Sequence, residues 1–346
     1  MKKLGIIFVF VLGGFLGAHA TSAALNNVLP LLQKRQRTAA ENQQVLQLFR
    51  SANQPDVIFA AGASLVKIPP AKTQEPALFS ILLRQDNGLK QIFSAVIITA
   101  MGSVHEELSP ILEQGLSSQD PALRAYTAAA YALIHPENTS YTSEIVRLYI
   151  FDPAFAQRAL NVLTGKEKSP FKVLTQAASS PDAQIRAAAA SWLGSLHTQQ
   201  AAKQLLKMAK KETDPSVQTA IATGLATNRD YTLSPLTRGL RQKPATAYAN
   251  TCALSLGFMP GYAVDSLRQN LTGTHPNARI NAARAAAYMA GVLSNPDAFS
   301  YSSDRAFDTY LLKGLIAPLK ALSLSGSAEE KTYAENAMRQ IEKLME

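Results

Sequence analysis

The chain has 346 residues, 47% of them hydrophobic, 7% aromatic and 17% charged, with a formal charge of +9. That apolar content excludes a wholly disordered chain. Alanine runs such as Ala187 to Ala190 beside so few aromatics favour close-packed helices over sheets, so an all-α fold is expected.

The first segment reads as an export signal. Lys2 and Lys3 precede fifteen uncharged residues, Leu4 to Ala18, and Ala18-His19-Ala20 offers the small-x-small pattern that signal peptidase reads. The run is shorter than the roughly 18 to 20 residues that span a bilayer. Residues 1–20 are therefore expected to be cleaved near Ala20, leaving a periplasmic or secreted protein with no stable membrane anchor. No cysteine lies near the cleavage site, which excludes a lipoprotein. Cys252, the only thiol, cannot form an intramolecular disulfide and is expected to be a small buried residue. Cleavage removes two lysines and no acid from the 34 basic residues, leaving 32 against 25 acidic, a charge of +7. The excess is scattered apart from Lys34 to Arg37 and Lys207 to Lys211. Without a continuous basic stripe and stacking aromatics, nucleic acid is not an expected partner. A solvated surface, or weak attraction to anionic lipid or cell-wall polymer, accounts for the charge.

Residues 21–53 are expected to form an N-terminal capping helix, with a Val45, Leu46, Phe49 stripe beside Lys34, Arg35, Arg37 and Glu41. From 54 to 293 an internal repeat takes over. Asp120-Pro-Ala-Leu123-Arg124 aligns with Pro181-Asp182-Ala-Gln-Ile185-Arg186. Taking Leu123 as the reference position, equivalents fall at Phe93, Phe155, Ile185, Val217, Tyr248 and Ala278, with separations of 30, 32, 30, 32, 31 and 30 residues. An eighth copy fits upstream at Val57, with a longer loop around Pro69-Pro70.

Ile185 to Gly194 most nearly matches a D-x-x-V-R-x-x-A-A-x-A-L-G helix, and these residues resemble the HEAT repeat, in particular its bacterial phycobilisome-lyase-type variety within the armadillo-like helical superfamily. The resemblance implies an α-solenoid of about eight stacked helical hairpins with polar capping helices, and it says little about function. Gln218 and Ala156 replace the arginine, Tyr248 the leading aliphatic residue, and Phe93 lacks the Asp-Pro lead-in.

Asp120-Pro121, Asp152-Pro153 and Asp214-Pro215 each place an acceptor before a proline that needs no N–H, which fixes the start of an inner helix. Within that helix the reference position and those four and eight later share one buried face, as in Ile185, Ala189 and Leu193. Trp192 is expected to be buried. Outer helices are expected at 106–117, 141–150, 170–178, 199–210, 233–241 and 263–271. Residues 294–346 are expected to hold a loop, 294–304, then capping helices, the last opening at Ser327 with Glu330 completing a capping box.

Two surfaces are candidates for binding. The outward positions of the inner helices, two and six after the reference, are small and mostly uncharged; Asn161 and Arg284 are among them. Tyr126, Arg158 and Asn281 lie one position further round. These five are candidate partner-binding residues, while the bland alternative is that small residues only permit tight curvature. The second surface is an edge ridge. His105, His135 and His197 each stand twelve residues after their reference, and Glu167 and Arg229 fill the same slot. The ridge could hold a ligand or a metal. Histidines at helix C-termini explain it more simply, because they bond free carbonyls and favour the negative end of the dipole. Neither a metal site nor a cofactor is expected.

Catalytic signatures are sparse. Ser64-Leu-Val-Lys67 and Ser169-Pro-Phe-Lys172 have the S-x-x-K spacing of penicillin-binding serine enzymes but lack its partner motifs. The expectation is a non-catalytic, exported scaffold that binds a protein or peptide. The competing class is a cell-envelope enzyme or accessory factor, for example one acting on peptidoglycan.

Overall fold

The computed structural model describes residues 23–84, 87–165, 170–295 and 305–345. The export segment, Glu167, Ser169 and most of the 294–304 loop lie outside them. The described residues are helical with no strand, and the chain divides into two compact units, Met1–Val173 and Leu174–Glu346.

In the first unit the helices are α1 (Ala23–Leu32), α2 (Ala39–Ser51), α3 (Pro55–Lys67), α4 (Glu75–Leu83), α5 (Gly88–Ala100), α6 (Ser109–Leu116), α7 (Pro121–Ile134), α8 (Thr142–Leu148) and α9 (Pro153–Thr164). The boundary falls within α10 (Phe171–Ala177). The second unit continues with α11 (Ala183–Ser195), α12 (Gln199–Ala209), α13 (Pro215–Thr227), α14 (Arg229–Gly239), α15 (Ala247–Gly257), α16 (Val264–Thr272), α17 (Pro276–Ser294), α18 (Arg305–Lys313), α19 (Ile316–Ser325) and α20 (Ala328–Met345). Inner helices α3, α5, α7 and α9 pack in sequence in the first unit, as α11, α13, α15, α17 and α20 do in the second, with outer helices between them. Each unit is thus a stack of hairpins of the α-solenoid kind.

The single capping helix expected over 21–53 is corrected to two. Thr38 accepts from the Glu41 amide at 3.2 Å, and Glu41 accepts from the Thr38 amide at 2.9 Å, a capping box that begins a new helix. Arg37, in the break, donates to Ser64 Oγ and Ser64 O at 2.5 and 2.7 Å, fastening the turn to α3. Inner-helix starts follow the sequence rule: Asp120 Oδ1 accepts from the amides of Ala122 and Leu123 at 2.8 and 3.1 Å. Asp152 and Asp214 cap α9 and α13 in the same way.

The residue after the reference position has a structural task that recurs. Arg124, Arg186 and Arg279 each donate to the carbonyl six residues earlier, on Ser118, Ser180 and Gly273, at 2.6, 3.0 and 3.0 Å. Each also meets an acid further along the chain: Glu144 at 3.7 Å, Glu212 at 2.8 Å and Glu330 at 2.6 Å. One guanidinium therefore pins the loop before its own helix and grips a segment further along the array. Gln218, where the arginine is missing, keeps the first bond by donating to Glu212 O at 2.9 Å. Ala156 can make neither.

The core is leucine, isoleucine, valine and alanine, each fully buried large aliphatic side chain worth about 1.5–3 kcal/mol. Trp192 is 2% exposed and Cys252 fully buried, as expected. In the second unit α11 and α13 touch at backbone level, since a Cβ on Gly194 would stand 2.6 Å from Gly224 Cα. Asn228 donates to both Gly194 O and Gly224 O at 2.8 Å, closing that contact.

Candidate functional site

The free face of the inner helices differs between the units. In the first, the expected outward residues Ala95, Thr99, Ala125 and Ala129 are all fully buried. Three aromatic side chains pack together in this unit. Phe59 on α3, Phe93 on α5 and Tyr126 on α7 form a ring cluster with centroids 5.1 to 6.4 Å apart. Tyr126 is 2% exposed, which corrects its place among the outward candidates: a large ring one position round the helix turns into the cluster instead of into solvent. Burial, and then the charge of Asp152, hold its hydroxyl well above the ordinary tyrosine range. Arg158 on α9 reaches back two repeats to donate to Thr99 O and Ala100 O at 2.7 and 2.9 Å. Its side chain is exposed, as expected, yet both ends of its fork hold the C-terminus of α5. Asn161 on the same helix is exposed.

In the second unit the face stays open. Ser191, Thr219 and Thr223 are exposed, and Asn250, Leu254 and Arg284 half-buried. A polar groove of about 450 Å³ lies between Gln218, Asn250, Arg284, Tyr333 and the Pro244–Ala247 segment. Arg284 organises it, donating to Pro244 O at 2.8 Å, Asn281 Oδ1 at 3.1 Å and Asn250 Oδ1 at 2.6 Å. Asn250 passes the chain on, donating to Gln218 Oε1 at 3.0 Å while accepting from the Tyr288 hydroxyl at 3.1 Å. The Arg284 guanidinium also lies 5.8 Å from the Tyr333 ring centroid. Because each neighbour fixes the next, the amide and phenol groups facing the groove are held in place before anything binds.

Asn281 is fully buried, a second correction. It donates to Leu240 O and Gln242 O at 2.8 and 3.0 Å, tying down the loop after α14. Of the five outward candidates, only Arg284 lines this groove. Sequence reasoning missed Gln218 and Tyr333 as groove residues. Gln218 carried a signal as the substitution in the arginine slot, whereas Tyr333 comes from the terminal helix, outside the repeat register.

The ridge residues meet local partners. His105 Nε2 lies 3.0 Å from Glu75 Oε1, and its ring meets Phe79 edge-on. His135 Nε2 lies 2.7 Å from Ser109 Oγ, with its ring against Tyr131. His197 takes a left-handed φ of 49° in the turn after α11 and is exposed. Arg229 begins α14 and stacks over Tyr262 at 4.0 Å. His105, His135 and Arg229 therefore link neighbouring segments of the array. Among the described residues, no group of three or more His, Cys, Asp or Glu side chains converges as a metal site would need.

Ser64, of the Ser-x-x-Lys pair, is 2% exposed and its hydroxyl donates to Leu32 O at 2.8 Å while accepting from Arg37. It is a joint between helices, out of reach of a substrate.

Residues 145–226 and 171–257 match the family model for HEAT repeats. No curated protein matches the chain. With paired helices stacked in both units and an arginine clamp recurring one residue after the reference position of the inner helix, the chain carries HEAT repeats over 145–257 within an all-α array of helical hairpins.

Proposed function

We propose that the protein is an exported, non-catalytic scaffold that binds an extended stretch of a protein partner along the open inner face of its second unit. One observation carries this reading: the groove around Arg284, where amide, hydroxyl and phenol groups are held in a hydrogen-bonded row above small exposed residues. Such a surface matches alternating backbone donors and acceptors better than it matches a small substrate. Export rests on Lys2, Lys3, the uncharged run to Ala18 and the Ala18-x-Ala20 pattern. No helix among the described residues is long and apolar enough to cross a membrane.

The test places a photoreactive side chain at Thr219 or Thr223 in cells of the native host, with exposed Lys313 on α18 as the control position. The expected result is a discrete adduct from the two inner-face positions, mapping to one contiguous partner segment, and none from Lys313. Equal labelling at all three positions overturns the surface. Mass spectrometry of the mature protein is expected to find its N-terminus at or close to Thr21, and intact Met1 in the soluble cytoplasm overturns export.

A further inference from the structure

Residues 199–248 carry eight basic and three acidic side chains, a net +5. The acids are placed elsewhere. Glu212 is bound to Arg186, Asp214 caps α13, and Asp230 lies in the first turn of α14, about 12 Å along the helix from Arg238. Among the described residues, Lys207, Lys210, Lys211, Arg238, Arg241 and Lys243 have no carboxylate within ion-pair distance. All six lie at or just beyond the C-terminal ends of α12 and α14.

Those two ends enclose a cavity of about 610 Å³ with the first turn of α15. Lys210 and Arg238 stand in its wall, with Thr246 and Gln242 as further hydrogen-bonding groups. Leu206, Pro235 and Tyr248 supply an apolar side. Lys210 Nζ lies 5.9 Å from the Tyr248 ring centroid, so the cation and the ring face the same space. The ring also packs beside Gly239, where a Cβ would stand 3.4 Å from Tyr248 Cε1.

Helix-dipole attraction alone accounts for a cation or two here, but not for this grouping. Each helix end carries only about half an elementary charge, so two C-termini and one opposing N-terminus leave roughly −0.5 against six whole positive charges. Two of these cations, Lys210 and Arg238, stand in the cavity wall with no carboxylate among its lining residues. Its size exceeds what an inorganic anion fills, and its wall is apolar on one side and cationic on the other.

We propose that this cavity binds a phosphate ester, its anionic oxygens between Lys210 and Arg238 and its organic part against Tyr248 and Leu206. The site is separate from the groove around Arg284 and does not depend on partner binding there. The ester could be a soluble metabolite or the headgroup of an anionic phospholipid, which present the same chemistry to the cavity.

The test uses the full mature protein with two probes: phenyl phosphate by calorimetry, and phosphatidylglycerol vesicles by co-sedimentation, with phosphatidylcholine vesicles for comparison. Saturable binding of phenyl phosphate that falls about tenfold or more in K210Q/R238Q, but less than about twofold in the charge-matched K320Q/K343Q, supports a soluble ester. Binding of phosphatidylglycerol vesicles alone, lost in the same variant and retained in the control, assigns the phosphate to a lipid. Tyr248→Leu separates a pocket from a diffuse field, since it removes no charge and is expected to weaken phenyl phosphate severalfold. Thermal melts of all variants establish that they are folded. Absence of binding to both probes, or equal loss in the two charge-matched variants, overturns the proposal.

Discussion

The two units build the same hairpin and finish its inner face in opposite ways. In the first, Phe59, Phe93 and Tyr126 meet across three inner helices, and the fork of Arg158 closes over the end of α5. In the second, α11 and α13 approach through Gly194 and Gly224, and the outward positions carry Ser, Thr and Asn side chains that stay accessible. The repeat thus sets where helices go, while the size of a few side chains decides whether the face becomes core or surface. Filling it adds stability, and leaving it polar makes it available for contacts.

The largest expected effect tests the filled face. Phe93 is fully buried and its ring rests on Gly62, so Phe93→Ala should cost about 3–5 kcal/mol in denaturant unfolding. A loss under about 1 kcal/mol would mean that the cluster is not core. The next concerns the clamp of the second unit. Burial pushes the Glu212 carboxyl up, but Arg186 and the amides of Asp214 and Thr213 outweigh it and hold it below the usual range. Its contribution is therefore present above the ordinary glutamate pKa and is lost as pH falls through its own lower value. Glu212→Gln should cost about 1.5–3 kcal/mol at neutral pH, with the difference from wild type shrinking towards pH 3 in acid unfolding. A pH-independent difference would exclude the ion pair as its cause.

Gly194→Ala comes third. Its new methyl would meet the backbone of Gly224, which cannot move aside as a flexible side chain can, so a loss of about 1–3 kcal/mol is expected in thermal melts. Gly291, where a Cβ meets nothing within 4 Å, is the control and should gain from an alanine. The smallest effect belongs to Asp152 in the first unit. Burial raises its carboxyl pKa, with Lys67, Arg158 and backbone amides acting against that shift, and Oδ2 has no hydrogen-bond partner. The sign is opposite to that of Glu212: the charged form is a cost above the raised pKa, and the cost disappears as pH falls towards the ordinary value. Asp152→Asn keeps an acceptor for Phe155 N–H and should change stability little, with any gain confined to neutral pH. Urea titrations at pH 7 and pH 4 would reveal a gain of the reverse dependence, which contradicts this account.

Most of the architecture was legible in the residues. The Asp-Pro starts and the 30- to 32-residue spacing located the inner helices, because capping and proline chemistry act within a few residues of each other. The break at Gln33 to Arg37 was missed because the apolar stripe of α2 was extended backwards across the Thr38 cap. The site was less legible. Position two after the reference points outward in a single helix, yet Ala95 and Ala125 are fully buried, and the helical periodicity does not carry that information. Tyr126 turns into a ring cluster and Asn281 onto the Leu240 and Gln242 carbonyls, neither of which the periodicity shows. Arg284 was found because its position and its chemistry agreed, and Tyr333 was not, since only the packing of α20 brings it there.

The arginine clamp has a consequence for cooperativity. A guanidinium that holds the loop before its helix and the acid beyond it makes neighbouring repeats share a fate, so a fluctuation that opens one must break the other's bond as well. Helices α7, α11 and α17 are joined forward in this way, and α13 keeps only the backward half through Gln218. Ala156 on α9 and Ala249 on α15 make neither bond, although Arg158 ties α9 back to α5. In a chain read as a one-dimensional lattice, each helix without the clamp has one coupling fewer, and independent breathing of short segments is cheapest where couplings are fewest.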